Sequence, residues 1–235
     1  MAAINDNLQA VAARIREAAH AAGRDPSMVR LLAVTKTQPP PAVRAAYLAG
    51  LRSFGENYVQ EALDKKAALA ENAPGIQWHL IGPLQSNKTR VVAGTFDWVH
   101  TVDREKIARR LSEARADGVP PLNVLIQVNV SGESTKSGVP PGEARALAHE
   151  IAKLPRLRLR GLMAIPEPTP DKTLQLERFR EVRELFDRLN AEGLALDTLS
   201  MGMSQDLESA IAEGSTLVRI GTAIFGERPK AKEAA

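Results

Sequence analysis

Eight short apolar runs, each bounded by turn residues, alternate with stretches of helical spacing, and this alternation restricts the fold more than any other feature of the chain. The runs are RLLAVTK (30–36), LRSFGEN (51–57), QWHLIG (77–82), FDWVHTVD (96–103), LNVLIQVNV (122–130), LRLRGLMAI (157–165), DTLSMGM (197–203) and STLVRIG (215–221). Strands separated by helices must run parallel with right-handed crossovers, and eight such units at 235 residues close into a barrel. Upstream, Ile4, Leu8, Val11, Ile15 and Ala19 recur at helical spacing before Gly23 and Pro26. The expected architecture is therefore an α/β fold, a (β/α)8 TIM barrel forming one domain over residues 1–235, with an extra N-terminal helix. A doubly wound open sheet is the alternative arrangement of the same elements.

Composition narrows the function classes. With 44% hydrophobic and 25% charged residues the chain can bury a substantial core, which excludes disorder. A formal net charge of +3 is too small to imply nucleic acid. The absence of cysteine removes disulfides, thiolate nucleophiles and thiolate zinc sites. No apolar window approaches the ~18 residues of a membrane span, and the N-terminus has no signal-like apolar region, so a cytoplasmic protein without membrane contact is expected.

In a parallel barrel the reactive face is where the strands end. The eight exits carry Thr35 and Lys36; Gly55, Glu56 and Asn57; His79 and Gly82; Thr101 and Asp103; Asn129, Ser131 and Glu133; Met163; Met201, Gly202 and Ser204; and Arg219, Gly221 and Thr222. Ser204 reads as a helix N-cap with Glu208 one turn later, and Gly221 and Thr222 open a short terminal helix. Free N–H groups at such starts bind phosphate, and the loops after strands seven and eight are where barrels often hold one. Plain capping and turn formation is the competing explanation.

Lys36 ends an apolar strand at the barrel mouth. Partial desolvation there would lower its pKa and make the neutral amine available for a Schiff base, whereas a lysine that snorkels to water would do neither. A phosphate site combined with an imine-forming lysine points to pyridoxal 5′-phosphate. Other motifs fail. HEIAK places Lys153 where HExxH needs its second histidine, and the spacing from Gly221 to Gly226 matches a P-loop except that Glu227 replaces the lysine. No metal site and no nucleotide site are expected.

The segments LLAVTKTQP, FGENYVQEA, WHLIGPLQSNK, GLMAI, SMGMSQDLESAI and GSTLVRIGTAIFG, in this order along almost the whole chain, resemble the pyridoxal phosphate homeostasis protein family, itself similar to the N-terminal domain of alanine racemase. The resemblance implies pyridoxal 5′-phosphate held as a Schiff base on Lys36, with Arg219 facing the pyridine nitrogen. It implies a phosphate cradle of Ser204, Gly221 and Thr222 with Ser200 and Met201 close by, Asn57 lining the mouth, and Met163 near the ring. It further implies a carrier in intracellular vitamin B6 homeostasis rather than an enzyme. Its expected partners are the cofactor, free amino acids and apo forms of cofactor-dependent enzymes.

An arginine beside the ring nitrogen disfavours its protonation and weakens the ring as an electron sink. Alanine racemase takes its second base, a tyrosine, from a neighbouring subunit's C-terminal domain. Only a short run follows the last strand here, so no such domain is expected and a monomer is the expected state. The runner-up is a weak amino-acid racemase using Lys36 with water or Tyr58. A cofactor-free Schiff-base aldolase is the third reading.

Overall fold

The computed structural model describes residues 2–132 and 137–226, with the side chain of Ala2 left aside; Glu133 and Glu227 of the sequence expectations fall outside these residues. Eight parallel strands close into a barrel in chain order: β1 (Arg30–Val34), β2 (Ser53–Glu56), β3 (Gln77–Leu80), β4 (Trp98–Val102), β5 (Leu122–Val128), β6 (Leu157–Ala164), β7 (Thr198–Ser200) and β8 (Leu217–Ile220). β1 closes on β8 with Leu32 opposite Arg219. The helices in sequence are α1 (Ala2–Ala21), α2 (Pro40–Leu48), α3 (Val59–Leu69), α4 (Thr89–Thr95), α5 (Glu105–Ala114), α6 (Pro141–Ala152), α7 (Lys172–Ala191), α8 (Leu207–Ala212) and α9 (Thr222–Phe225). The barrel is the expected one, and the open sheet is excluded by the β1–β8 pairing.

Because strand side chains alternate, each strand feeds two cores. Phe54, Val99, Val124, Ile126, Val218 and Ile220 face outward and join the large apolar layer between sheet and helices. The inward set is smaller and more polar. Leu32, Ile81 and Leu217 pack together inside, as do Trp98, Leu125 and Met163. At the N-terminal end of the strands Arg160 and Arg30 lie 4.7 and 5.7 Å from the Trp98 ring centroid, and Arg160 pairs with Asp197 at 2.6 Å. This cation–aromatic plug shuts the end of the barrel opposite the site.

α1 buries Leu8, Val11, Ile15 and Ala19, the stripe its spacing predicted. It is tied to the far end of the chain: Asn7 donates to Ile224 O at 2.9 Å, and Arg24 donates to Ile211 O and Ser215 O at 2.7 and 2.8 Å. The strands are shorter than the apolar runs, since the last one to three residues of most runs leave the ladder to form loops. Among the described residues no helix is long and apolar enough to cross a membrane.

Candidate functional site

Where the strands end, the loops after β1, β6, β7 and β8 enclose a cavity of about 510 Å³. That lies within the ~300–1,000 Å³ typical of small-molecule sites. Its wall brings together Lys36, Ser204, Arg219, Gly221 and Thr222, five of the nine residues singled out from the sequence. The other four lie elsewhere. Ser200 is buried beneath Arg219, and Met163 packs inside the barrel against Trp98 and Leu125. Met201 faces outward into the apolar layer, because it stands one residue past the end of β7, where the inward Ser200 lies. Half-buried Asn57 starts the loop after β2, off the cavity wall, where its carbonyl would lie 2.1 Å from a Cβ at residue 82; only glycine allows these two loops to approach so closely.

Lys36 is half-buried, and the residues on either side of it are fixed by a charged cluster behind the loop. The ammonium of Lys65 on α3 donates to Thr35 O at 2.6 Å and to Glu56 Oε1 at 2.7 Å. Thr35 Oγ1 donates to the same carboxylate oxygen, and Thr37 N donates to Glu61 Oε2 at 2.9 Å. Thr37 sits at φ 64, a left-handed conformation costly for a β-branched residue, which the Glu61 contact helps to hold. Burial raises the Glu56 pKa, while the Lys65 and Thr35 hydrogen bonds oppose that rise. The sequence places Thr35 and Glu56 at strand exits but does not reveal Lys65 and Glu61 as their partners. The signal for Lys65 was the helical face it shares with Ala62 and Leu69, all three buried.

Arg219 anchors the floor. Its Nη1 donates to Ser200 O and Oγ at 2.5 and 2.8 Å, and Nη2 donates to Ala164 O at 2.9 Å. Burial lowers its pKa to about 10, so it stays cationic at neutral pH. Behind it, His100 Nδ1 lies 3.0 Å from Ser200 Oγ, and His100 Nε2 lies 2.9 Å from His79 Nδ1. The His79 ring stacks on Trp98 with centroids 5.3 Å apart. His79, expected at the mouth, is instead inside the barrel, one position before the end of its strand and pointing inward.

The helix after β7 begins later than expected. α8 starts at Leu207, so Asp206 takes the cap position that the sequence suggested for Ser204. Residues 204–206 form a turn instead, in which the Asp206 carboxylate accepts from Met203 N at 2.6 Å. Glu208 does not close a capping box; it pairs with Arg14 of α1, whose Nη1 also donates to Ser204 O at 2.7 Å. The turn thereby stays over the cavity with the Ser204 side chain on its wall. Gly202 makes the bend possible: φ is 93, and a Cβ there would lie 2.6 Å from Ala210 Cβ.

Tyr58 is exposed at the start of α3 and absent from the cavity wall, and Tyr47 packs on the outer layer. The racemase reading that used Tyr58 as a second base therefore has no tyrosine on that wall.

The sequence profile of the alanine racemase N-terminal domain matches residues 7–229. A Pseudomonas aeruginosa protein named pyridoxal phosphate homeostasis protein is 63% identical over 228 residues, covering 97% of each chain. An Escherichia coli protein of the same name is 53% identical over 231 residues, covering 98% of this chain and 99% of that one. The structure of PipY from Synechococcus elongatus with PLP bound superposes with a TM-score of 0.83 at 36% identity, covering 95% of this chain and all (100%) of PipY.

Proposed function

The chain belongs to the pyridoxal phosphate homeostasis protein family, within the alanine racemase N-terminal domain group, and from that premise we propose that it binds pyridoxal 5′-phosphate, holds it through Lys36, and serves intracellular vitamin B6 homeostasis without catalytic turnover. The observation that carries this reading is the convergence on one cavity of a lysine amine, a buried guanidinium and two hydroxyl-bearing loops.

The donor set suits the cofactor. Ser204 and Thr222 offer hydroxyls, and the first N–H groups of α9 have no carbonyl within the helix to bond, so this wall suits a phosphate. Arg219 offers a cation at the floor, where a neutral ring nitrogen accepts a hydrogen bond and a protonated one is repelled. Lys36 offers the amine at the end of β1, the strand paired with β8. When bound, pyridoxal phosphate supplies an aldehyde that condenses with primary amines.

The chain's own residues do the rest. The Glu56–Lys65–Glu61 cluster holds the backbone on both sides of Lys36, and Arg14 holds the Ser204 turn. Free amino acids and apo forms of cofactor-dependent enzymes are the candidate recipients, and the working state is a monomer in the cytoplasm.

Adding pyridoxal phosphate to purified protein should give a yellow absorption band that Lys36→Ala abolishes, and adding free amino acids should shift the band while their turnover stays at background. A colourless wild type, or solvent deuterium entering an amino acid at a catalytic rate, overturns the reading.

A further inference from the structure

Arg219 is a buried cation whose hydrogen-bond partners among the described residues are all neutral, Ser200 O, Ser200 Oγ and Ala164 O, while Asp206 on the same cavity wall acts on it electrostatically with no hydrogen bond between them. A buried charge of this kind ordinarily needs a counter-ion. Ser200 Oγ in turn contacts His100, and His100 contacts His79, so a line of hydrogen bonds runs from the cavity floor across the barrel interior, from β7 to β4 and β3, to the ring stacked on Trp98.

The direction of that line follows from counting donors. Arg219 can only donate, so both Ser200 oxygens act as acceptors toward it. With the Ser200 hydroxyl donating to His100 Nδ1, His100 Nε2–H donates to His79 Nδ1, and a single group, His79 Nε2–H, is left without a partner among the described residues. In the reverse direction His100 Nδ1–H would donate to Ser200. The hydroxyl hydrogen would then lose its acceptor, and the Nε2 lone pair of His79 would still be stranded. The first arrangement leaves one buried group unsatisfied and the second leaves two, so the first is favoured. Both rings stay neutral: burial lowers His79 to about 3 and takes His100 well below its usual range, with the charges of Arg30 and Arg219 adding to the effect. In this direction each ring, and the serine hydroxyl, turns its negative end toward Arg219.

We propose that His79, His100 and Ser200 form a chain of aligned neutral dipoles that stabilises the Arg219 cation from beneath, positioning its guanidinium at the cavity floor with no carboxylate hydrogen-bonded to it. A carboxylate in direct contact would cancel the charge that the floor presents; aligned dipoles stabilise the cation and leave that charge facing the ligand. The consequence for pyridoxal phosphate rests on the proposed function, whereas the state of the dipole chain does not.

Two arms keep these separate. In the full-length protein without cofactor, long-range ¹H–¹⁵N NMR at pH 7 should find both His79 and His100 neutral with hydrogen on Nε2. Hydrogen on His100 Nδ1, or an imidazolium at either position, overturns the proposal. In the second arm, His100→Phe should weaken pyridoxal phosphate uptake roughly tenfold, the effect of losing about one buried hydrogen bond. It should also move the pH at which the bound cofactor's absorption band titrates. His100→Gln, whose amide can accept from Ser200 and donate to His79, should restore both. Equal behaviour of wild type and His100→Phe, or failure of Gln to rescue, overturns the proposal. Should His100→Phe not fold, Ser200→Ala tests the same link with the same expected outcomes. A wild type that takes up no pyridoxal phosphate removes the proposed function and leaves the NMR arm to decide the dipole chain.

Discussion

Two cationic residues of the cavity wall, Lys36 and Arg219, are held by networks of opposite character. Around Lys36 the support is ionic and lies outside the barrel: Glu56 points outward from β2, Lys65 comes from α3, and together they hold the backbone of Thr35. Around Arg219 the support is neutral and lies inside the barrel. The difference follows from what each network must hold. The Lys36 loop is fixed by buried ions in the next layer, which act on the backbone of Thr35 and Thr37 on either side of the lysine. Arg219 presents its positive charge to the cavity, and neutral dipoles stabilise it without the offset that a carboxylate in direct contact would bring.

The sharpest way to break the ionic side is to strand one of its charges. Lys65→Met leaves Glu56 buried beside Thr35 alone, and the expected loss is about 3–5 kcal/mol in urea denaturation. Adding Glu56→Gln should recover a large part of that loss, since no uncompensated carboxylate then remains. Equal stability of the single variant and wild type would remove the claim that this pair is buried and coupled.

The neutral side breaks with acid. His79 is held at about 3 against an ordinary value of 6.5, so the unfolded chain binds the extra proton between those values and the folded chain does not. Stability is therefore full above pH 6.5 and declines as pH falls toward 3. The expected cost is about 3 kcal/mol from this ring by pH 4, with His100 adding in the same direction. Urea midpoints measured from pH 7 to pH 4 check this; a flat profile contradicts neutral buried rings.

Ser200→Ala should act on the link rather than on the charges. It removes one acceptor from Arg219 and the donor to His100, for an expected loss of about 1–2 kcal/mol by thermal denaturation. Smallest is the exposed end of the comparison. Arg14→Ala breaks the pair with Glu208, and surface ion pairs of this kind contribute ~0.2–1 kcal/mol, so stability should hardly change. Pyridoxal phosphate affinity should fall more than stability does, because Ser204 O loses its anchor; an unchanged affinity separates that turn from the site.

The sequence made the barrel legible because alternating apolar strands and amphipathic helices are a local pattern repeated eight times. Lys36, Ser204, Arg219, Gly221 and Thr222 were legible because strand exits in a parallel barrel share one face. What escaped has specific causes. Met201 and Ser200 are neighbours, and only the register of a three-residue strand decides which one faces inward. His79 and His100 carry no local motif; 21 residues separate them along the chain, and they meet because β3 and β4 are adjacent with both rings inside. Lys65 was hidden by the habit of reading lysine on a helix as exposed, although its spacing from Ala62 and Leu69 already placed it on the buried face.

Reductive trapping addresses the central claim most directly. Protein incubated with pyridoxal phosphate, reduced with borohydride and digested should yield one modified peptide with the added mass on Lys36, and Lys36→Ala should yield none. An adduct on another lysine, or no adduct on the wild type, contradicts the account.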